Sequence, residues 1–398
     1  MNAPDTSYPG PRLFVVVGTR PEAIKLGPVI GGARSRGWPV CLCSTGQHSE
    51  LLDAALSSFA LVPDIRLGLM RPGQQTEEVL GRAVPALAEA IGRTRPDLVV
   101  VQGDTVSAFA GALAAFYRHV PVAHVEAGLR SGQADDPFPE EMHRREIARL
   151  ADLHFAATQT ARHSLLEEGV SAEAVTVTGN SGIDALHLTL AAIDHSAMNT
   201  RFEWFDRGRP LVLATIHRRE NQDGRLAEIV QGFRRIAMSG RCQLAVTVHP
   251  APRIKAALRT GLAGCPDAVL LDPVDHPTFV WLLTQAALVL TDSGGVQEEA
   301  PALGCPTLVL RRSTERPEGI ATGNARLVDV TADAIELAVA SLLDDAPARR
   351  RMAEPASPYG DGCATERILA EIARWWALRA GRTVAGALSG RSLRSARP

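Results

Sequence analysis

The chain has 398 residues, with 42 Lys and Arg against 44 Asp and Glu, and 45% of its residues are hydrophobic. That length exceeds one ordinary core and calls for two domains, while a formal net charge of −2 gives no reason to expect nucleic acid or a membrane surface as partner. No apolar run approaches the roughly 18 residues of a membrane span, and residues 1–10 do not form a charged and apolar leader, so a cytoplasmic protein is expected.

Residues 1–10 form a short Pro- and Gly-containing lead, expected to be disordered. After it, apolar strand-like runs alternate with helical patterns, the signature of an α/β fold with parallel sheets. Strands are predicted near 12–18, 39–44, 97–101, 120–125, 153–156 and 174–178. The polar, patternless stretch 194–210 predicts a domain boundary, giving a first doubly wound domain over 11–200 and a second over 201–360. In the second, strands are predicted near 211–215, 243–248, 268–271, 287–291 and 306–310. The helical pattern 361–380 is expected to pack back across the domain junction. The stretch 381–398 carries Arg382, Arg391, Arg394 and Arg397 without an acid and is expected to be a disordered tail.

The turns after these strands hold the chemistry. Gly18-Thr19-Arg20-Pro21-Glu22-Ala23-Ile24-Lys25 places Arg20 and Lys25 beside a helix start, a setting for an anion. It lacks the glycines of the dinucleotide fingerprint and of the P-loop, so no nicotinamide cofactor is indicated. The run 98–101 empties into Gln102-Gly103-Asp104-Thr105, and 120–125 into Glu126-Ala127-Gly128-Leu129-Arg130, with Pro139-Glu140-Glu141 beyond. Buried parallel strands send these turns to the carboxyl edge of the sheet, where α/β proteins bind ligands. Asp104, Glu126 and Glu140 on that edge suit proton transfer, although each alone reads equally well as a solvated surface acid.

In the second domain, 211–215 runs into Ile216-His217-Arg218-Arg219, where forked arginines and a histidine suit a phosphate-bearing leaving group. The strand ending at Thr291 leads into Asp292-Ser293-Gly294-Gly295-Val296, whose backbone N–H groups suit a diphosphate. Glycines there serve a tight turn equally well. The six cysteines form no Cys-x-x-Cys pair and no two histidines have metal-helix spacing, so no metal site is expected. An acidic half and a phosphate-binding half facing one cleft would describe a site for a nucleotide-activated small molecule, with closure excluding water.

Taken in order, these motifs resemble the non-hydrolysing UDP-N-acetylglucosamine 2-epimerases from about residue 15 to about residue 368. The likeness also rests on Thr45-Gly46-Gln47-His48, Thr178-Gly179-Asn180, His217-Arg218-Arg219-Glu220-Asn221, Thr314-Glu315-Arg316-Pro317-Glu318 and Tyr359-Gly360-Asp361-Gly362. His143 stands where the family usually has asparagine. The resemblance implies two Rossmann-like domains in a glycosyltransferase-B-like architecture, a homodimer, and a UDP-sugar substrate. It assigns catalytic roles to Asp104, Glu126, Glu140 and His217, and substrate contacts to Arg20, Lys25, Phe279, Ser293, Gly294, Gly295, Glu299 and Arg316.

Carbon 2 of such a sugar has no adjacent carbonyl, so inversion without a redox cofactor implies elimination of UDP to a 2-acetamidoglucal and readdition from the opposite face. Three carboxylates can supply two faces, and like charges in a closed cleft should raise at least one pKa. Which carboxylate is base and which acid is open. A hydrolysing 2-epimerase, a glycosyltransferase of the same architecture and a nucleotide-sugar-binding protein are the competing readings.

Overall fold

The computed structural model describes residues 9–46, 49–71, 73–216, 221, 224–248, 251–354 and 356–392. It divides into two compact units, one of residues 1–185 with 360–398 and the other of residues 186–359. In the first, β1 (Leu13–Val17), β2 (Val40–Ser44), β3 (Ile65–Arg66), β4 (Leu98–Gln102), β5 (Val122–Ala127), β6 (Leu153–Ala156) and β7 (Val175–Val177) form one parallel sheet in the order β3-β2-β1-β4-β5-β6-β7. In the second, β8 (Leu211–Thr215), β9 (Gln243–Thr247), β10 (Ala268–Leu271), β11 (Leu288–Thr291), β12 (Thr307–Val309) and β13 (Ala325–Leu327) pair in the order β10-β9-β8-β11-β12-β13, again parallel.

Each order reverses once, between β1 and β4 and between β8 and β11, so each unit is Rossmann-like with one topological switch point. The turns after β1, β4 and β11 therefore flank the positions where such sheets open to ligands. The strands β3 and β13 fall outside the predicted set because two or three residues, half of them charged or exposed, carry no periodic signal.

Period-two alternation splits β1 between two layers. Leu13, Val15 and Val17 pack with Leu98, Val100 and Val125, while Phe14 and Val16 pack with Val99, Val101, Leu87 and Ala112 on the other face. All five residues of β1 are buried, which is why the run reads as continuously apolar.

The division between units falls inside the helix Ser181–Ala192, not near residue 200. Ala185 belongs to the first core and Leu186 to the second. The stretch that looked like a linker folds into the second unit, because Phe202 is buried and stacks on Trp281 with centroids 5.0 Å apart. Phe202, Trp204 and Phe205, scattered among polar neighbours, gave no pattern to read.

At the C-terminus the helix Ala364–Ser392 rejoins the first unit. Ile368, Leu369 and Ile372 are fully buried beside Leu26, Val29 and Ile30 of the helix Arg20–Ser35. The Asp184 carboxylate accepts from the backbone N–H groups of Ala364 and Thr365 at 3.1 and 2.7 Å, satisfying donors at the helix start. The helix continues through the 381–392 portion of the stretch expected to be a disordered tail. An amphipathic helix already seeded and packed propagates at little cost into residues that could not nucleate one.

Candidate active site

Turns that sequence could only order along the chain are tied together by Glu22. Its carboxylate, fully buried, accepts from the backbone N–H groups of Gly18 and Thr19 at 2.9 and 2.6 Å and from the Thr105 hydroxyl at 2.6 Å. Thr105 in turn caps the helix Val106–Tyr117 by accepting from the Ala108 N–H at 3.0 Å, so one hydroxyl donates to Glu22 and accepts from a helix. Burial pushes the Glu22 carboxyl up, and these hydrogen bonds work against that shift. The turn bearing Arg20 and Lys25 is thereby fixed to the turn bearing Asp104.

Glu126, next to last in β5, has φ +62°, a left-handed conformation rare outside glycine, where the register with β6 shifts between Val125 and Ala127. Its side chain is buried, 2.7 Å from the Lys25 ammonium, and also accepts from the Gln102 amide at the end of β4. Backbone strain of this kind persists where surrounding contacts over-determine it, and it aims the carboxylate.

Asp104 is held by Arg144, whose Nε lies 3.0 Å from Oδ2. The same guanidinium reaches the Glu141 carboxylate at 3.0 Å, and Glu141, fully buried, is shared with Arg145 at 2.9 Å. His143 Nδ1 lies 3.0 Å from the Asp104 carbonyl oxygen, which makes Nδ1–H the donor, and its ring stacks on Phe109 at 5.0 Å. Burial holds the His143 imidazole below its usual range and so favours the neutral ring. Glu140 is half-buried at the first position of the helix Glu140–Leu150. Asp104 and Glu126 thus each stand in an ion pair, with Arg144 and Lys25 respectively.

In the second unit Ser293 is the N-cap of the helix Gly294–Ala302. Its N–H donates to the Thr291 hydroxyl at 3.0 Å, which shapes the turn that follows β11. A Cβ on Gly294 would fall 2.6 Å from an Arg316 guanidinium nitrogen, so glycine is what admits that side chain; a Cβ on Gly295 would meet open space. Arg316 Nε lies 2.6 Å from Glu298, its Nη1 pairs with Glu315, and Arg311 reaches Glu315 at 2.8 Å. The Tyr359 hydroxyl donates to the Arg316 carbonyl at 3.1 Å and accepts from the Gly319 N–H at 3.0 Å. Glu299 lies 3.0 Å from His276 Nε2, and His276 Nδ1 lies 3.2 Å from the Thr189 hydroxyl. Phe279 packs in the core at 5% exposure. Asn221 donates to Asp292 and to the Leu310 carbonyl, both at 3.0 Å. His217 lies outside the described residues.

Of the predicted set, then, Lys25 and Glu126 meet directly, the turns bearing Arg20 and Asp104 are joined through Glu22 and Thr105, and the Arg316 guanidinium packs over Gly294 in the turn that Ser293 begins. Sequence reasoning passed over Gln102, Arg144, Glu22, Glu298, Glu315 and His276 as functional groups. The Glu141–Arg144 and Glu141–Arg145 pairs were legible as i,i+3 and i,i+4 spacings on a helix, but nothing local revealed that Arg144 also reaches Asp104. No cluster of three or more metal-ligating side chains occurs among the described residues.

Comparison with known proteins gives this geometry its context. A family model described as UDP-N-acetylglucosamine 2-epimerase matches residues 33–373. The chain is 40% identical over 365 residues to the UDP-N-acetylglucosamine 2-epimerase of Escherichia coli strain K12, covering 90% of this chain and 97% of that protein. The UDP-GlcNAc 2-epimerase of Neisseria meningitidis, solved bound to UDP-GlcNAc, superposes with a TM-score of 0.88 at 36% identity over 90% of this chain and 98% of that one. That of Methanocaldococcus jannaschii, in complex with UDP-GlcNAc and UDP, gives 0.81 at 33% identity over 90% and 98%. Matched by one family model along most of its length and built from the two Rossmann-like domains of the glycosyltransferase-B type, the chain belongs to the UDP-N-acetylglucosamine 2-epimerase family.

Proposed function

We propose that the protein is a non-hydrolysing UDP-N-acetylglucosamine 2-epimerase that interconverts UDP-GlcNAc and UDP-ManNAc. The observation that carries this is Glu126: a buried carboxylate in left-handed backbone, held by Lys25 and Gln102, beside the turn that bears Asp104. A carboxylate takes the C2 proton while the C1–O bond breaks, its electron pair leaving with the β-phosphate oxygen of UDP and the C2 pair forming the C1=C2 bond of 2-acetamidoglucal. A second group then delivers a proton to the opposite face of C2 as the UDP oxygen rejoins C1. Asp104, Glu126 and Glu140 supply the two acid–base groups.

The departing diphosphate collects most of the developing charge. Its stabilisation falls to His217, Arg20, Lys25 and Arg316, with N–H groups of Gly294 and Gly295 after Ser293 at a helix start. Glu299 takes ribose hydroxyls and Phe279 borders the base pocket. No step calls for a metal or a redox cofactor. The enzyme is further proposed to act as a homodimer in the cytoplasm.

Incubation with UDP-GlcNAc in D₂O, followed by NMR, tests the reading. Deuterium at C2 of a sugar still joined to UDP is the expected result. Release of free N-acetylmannosamine and UDP would replace it with the hydrolysing reaction, and dependence on an added acceptor with glycosyl transfer.

A further inference from the structure

At the amino edge of the first sheet, opposite the catalytic turns, a cavity of about 340 Å³ opens among Arg12, Arg95, Asp97, Arg118, His119 and Arg379. Four guanidinium groups face one carboxylate. Asp97 is already committed to Arg12, accepting from its backbone N–H at 2.9 Å and from Nε and Nη2 at 3.1 Å each. Arg379 comes from the C-terminal helix and lies over the Trp375 ring, 5.0 Å from its centroid. Among the described residues, the Arg95 and Arg118 side chains make neither an ion pair nor a hydrogen bond. Each can offer its fork of N–H donors to a ligand.

Backbone geometry singles out the same place. Arg95 closes the helix Thr76–Thr94 at φ +47°, and His119, just past the helix Val106–Tyr117, has φ +54°. Glycine is the ordinary residue at such helix ends, since a Cβ there is strained. Cations beside helix C-termini account for Arg95 and Arg118 taken alone. They do not account for Arg12 and Arg379 converging on the same cavity, nor for two non-glycine residues in left-handed backbone on its rim.

We propose that this cavity is a binding site for a small multivalent anion of the phosphate class, gripped by Arg95 and Arg118 and completed by Arg379 and Arg12. The site is separate from the catalytic turns. Strands β1 and β4 run from one edge to the other, and their five residues at about 3.3 Å each set the two roughly 17 Å apart. A bound anion joins the C-terminal helix to the sheet and so stabilises the first unit by mass action.

Isothermal titration of the full chain with inorganic pyrophosphate tests this, with sodium chloride keeping ionic strength constant so that general screening cancels. Wild type is expected to show saturable binding that persists when UDP is in excess. Arg95→Ala/Arg118→Ala is expected to weaken it at least tenfold while turnover of UDP-GlcNAc is unchanged. Should that variant not fold by circular dichroism, Arg95→Gln/Arg118→Gln carries the same comparison. The proposal is overturned by absence of saturable binding, by binding that UDP abolishes, or by affinity that survives loss of both arginines. The binding readout does not depend on the epimerase reading, so the two can fail separately.

Discussion

At the scale of single residues, the decisive contacts are charges that hold one another. Glu126 is in hydrogen-bond contact with Lys25 and Gln102, so Glu126→Gln keeps shape and removes the titrating group. Turnover should fall about 10²–10⁴-fold while UDP affinity by calorimetry stays within a few-fold. Parallel loss of affinity and rate would remove Glu126 from the proton-transfer set. Arg144 is a different case, because it serves Asp104 and the buried Glu141 together. Arg144→Ala leaves both without it and should cost roughly 3–5 kcal/mol in urea unfolding, whereas Arg144→Lys keeps the charge without the fork and should fall between. Stability equal to wild type would mean that Arg145 alone supports Glu141. His143, which stands where the family usually has asparagine, performs a short-range task that fits a neutral ring: one N–H to the Asp104 carbonyl.

Among elements, two glycines with opposite surroundings give a paired prediction. Gly128, just after β5, has φ +89°, and a Cβ there would lie 2.1 Å from the Ala161 carbonyl oxygen. Backbone cannot yield as a flexible side chain can, so Gly128→Ala should destabilise by more than about 2 kcal/mol. Gly81 lies exposed in the helix Thr76–Thr94, and a Cβ there would meet nothing within 4 Å. Gly81→Ala should therefore stabilise by about 0.5–1 kcal/mol through helix propensity. Denaturant midpoints that moved the same way for both would contradict this pairing. Docking of the C-terminal helix is tested by Leu369→Ala, which empties a fully buried position against the helix Arg20–Ser35. A cost of about 2–5 kcal/mol is expected, and a change below about 1 kcal/mol would show the contact to be dispensable.

For the molecule as a whole, pH dependence follows from two adjacent buried histidines. His124 on β5 pairs in register with His154 on β6, and burial holds them at about 3 and about 4 respectively. Each folded value lies below the unfolded value of 6.5, so the unfolded chain takes up protons first. Their contribution is fully present above pH 6.5 and is lost as pH falls toward 4, by about 1.4 kcal/mol per pH unit for each histidine. Glu22, raised by burial, acts in the opposite sense, binding a proton on folding and losing that contribution as pH rises. Two histidines outweigh one carboxyl between about pH 4.5 and 6.5, so unfolding followed across that window should show stability rising with pH. His124→Gln should flatten the slope, and a slope unaltered by it would place the effect elsewhere.

Much of this was written locally. Buried parallel strands announce themselves as unbroken apolar runs, so the alternation of elements, the two sheets and the chemical character of each turn were legible from the chain. Short edge strands such as β3 and β13 were not, because two or three residues carry no period. Nor was the boundary inside the helix Ser181–Ala192, since aromatics within a polar stretch show their partners only once folded. The sequence by itself determined which acids and cations reach the carboxyl edge of each sheet. Tertiary structure decided which of them touch: Lys25 with Glu126 across 101 positions, Arg144 with Asp104 across 40, and Glu22 with Thr105 across 83. Contacts at that separation are set by strand order and register, and no periodicity along a chain encodes them.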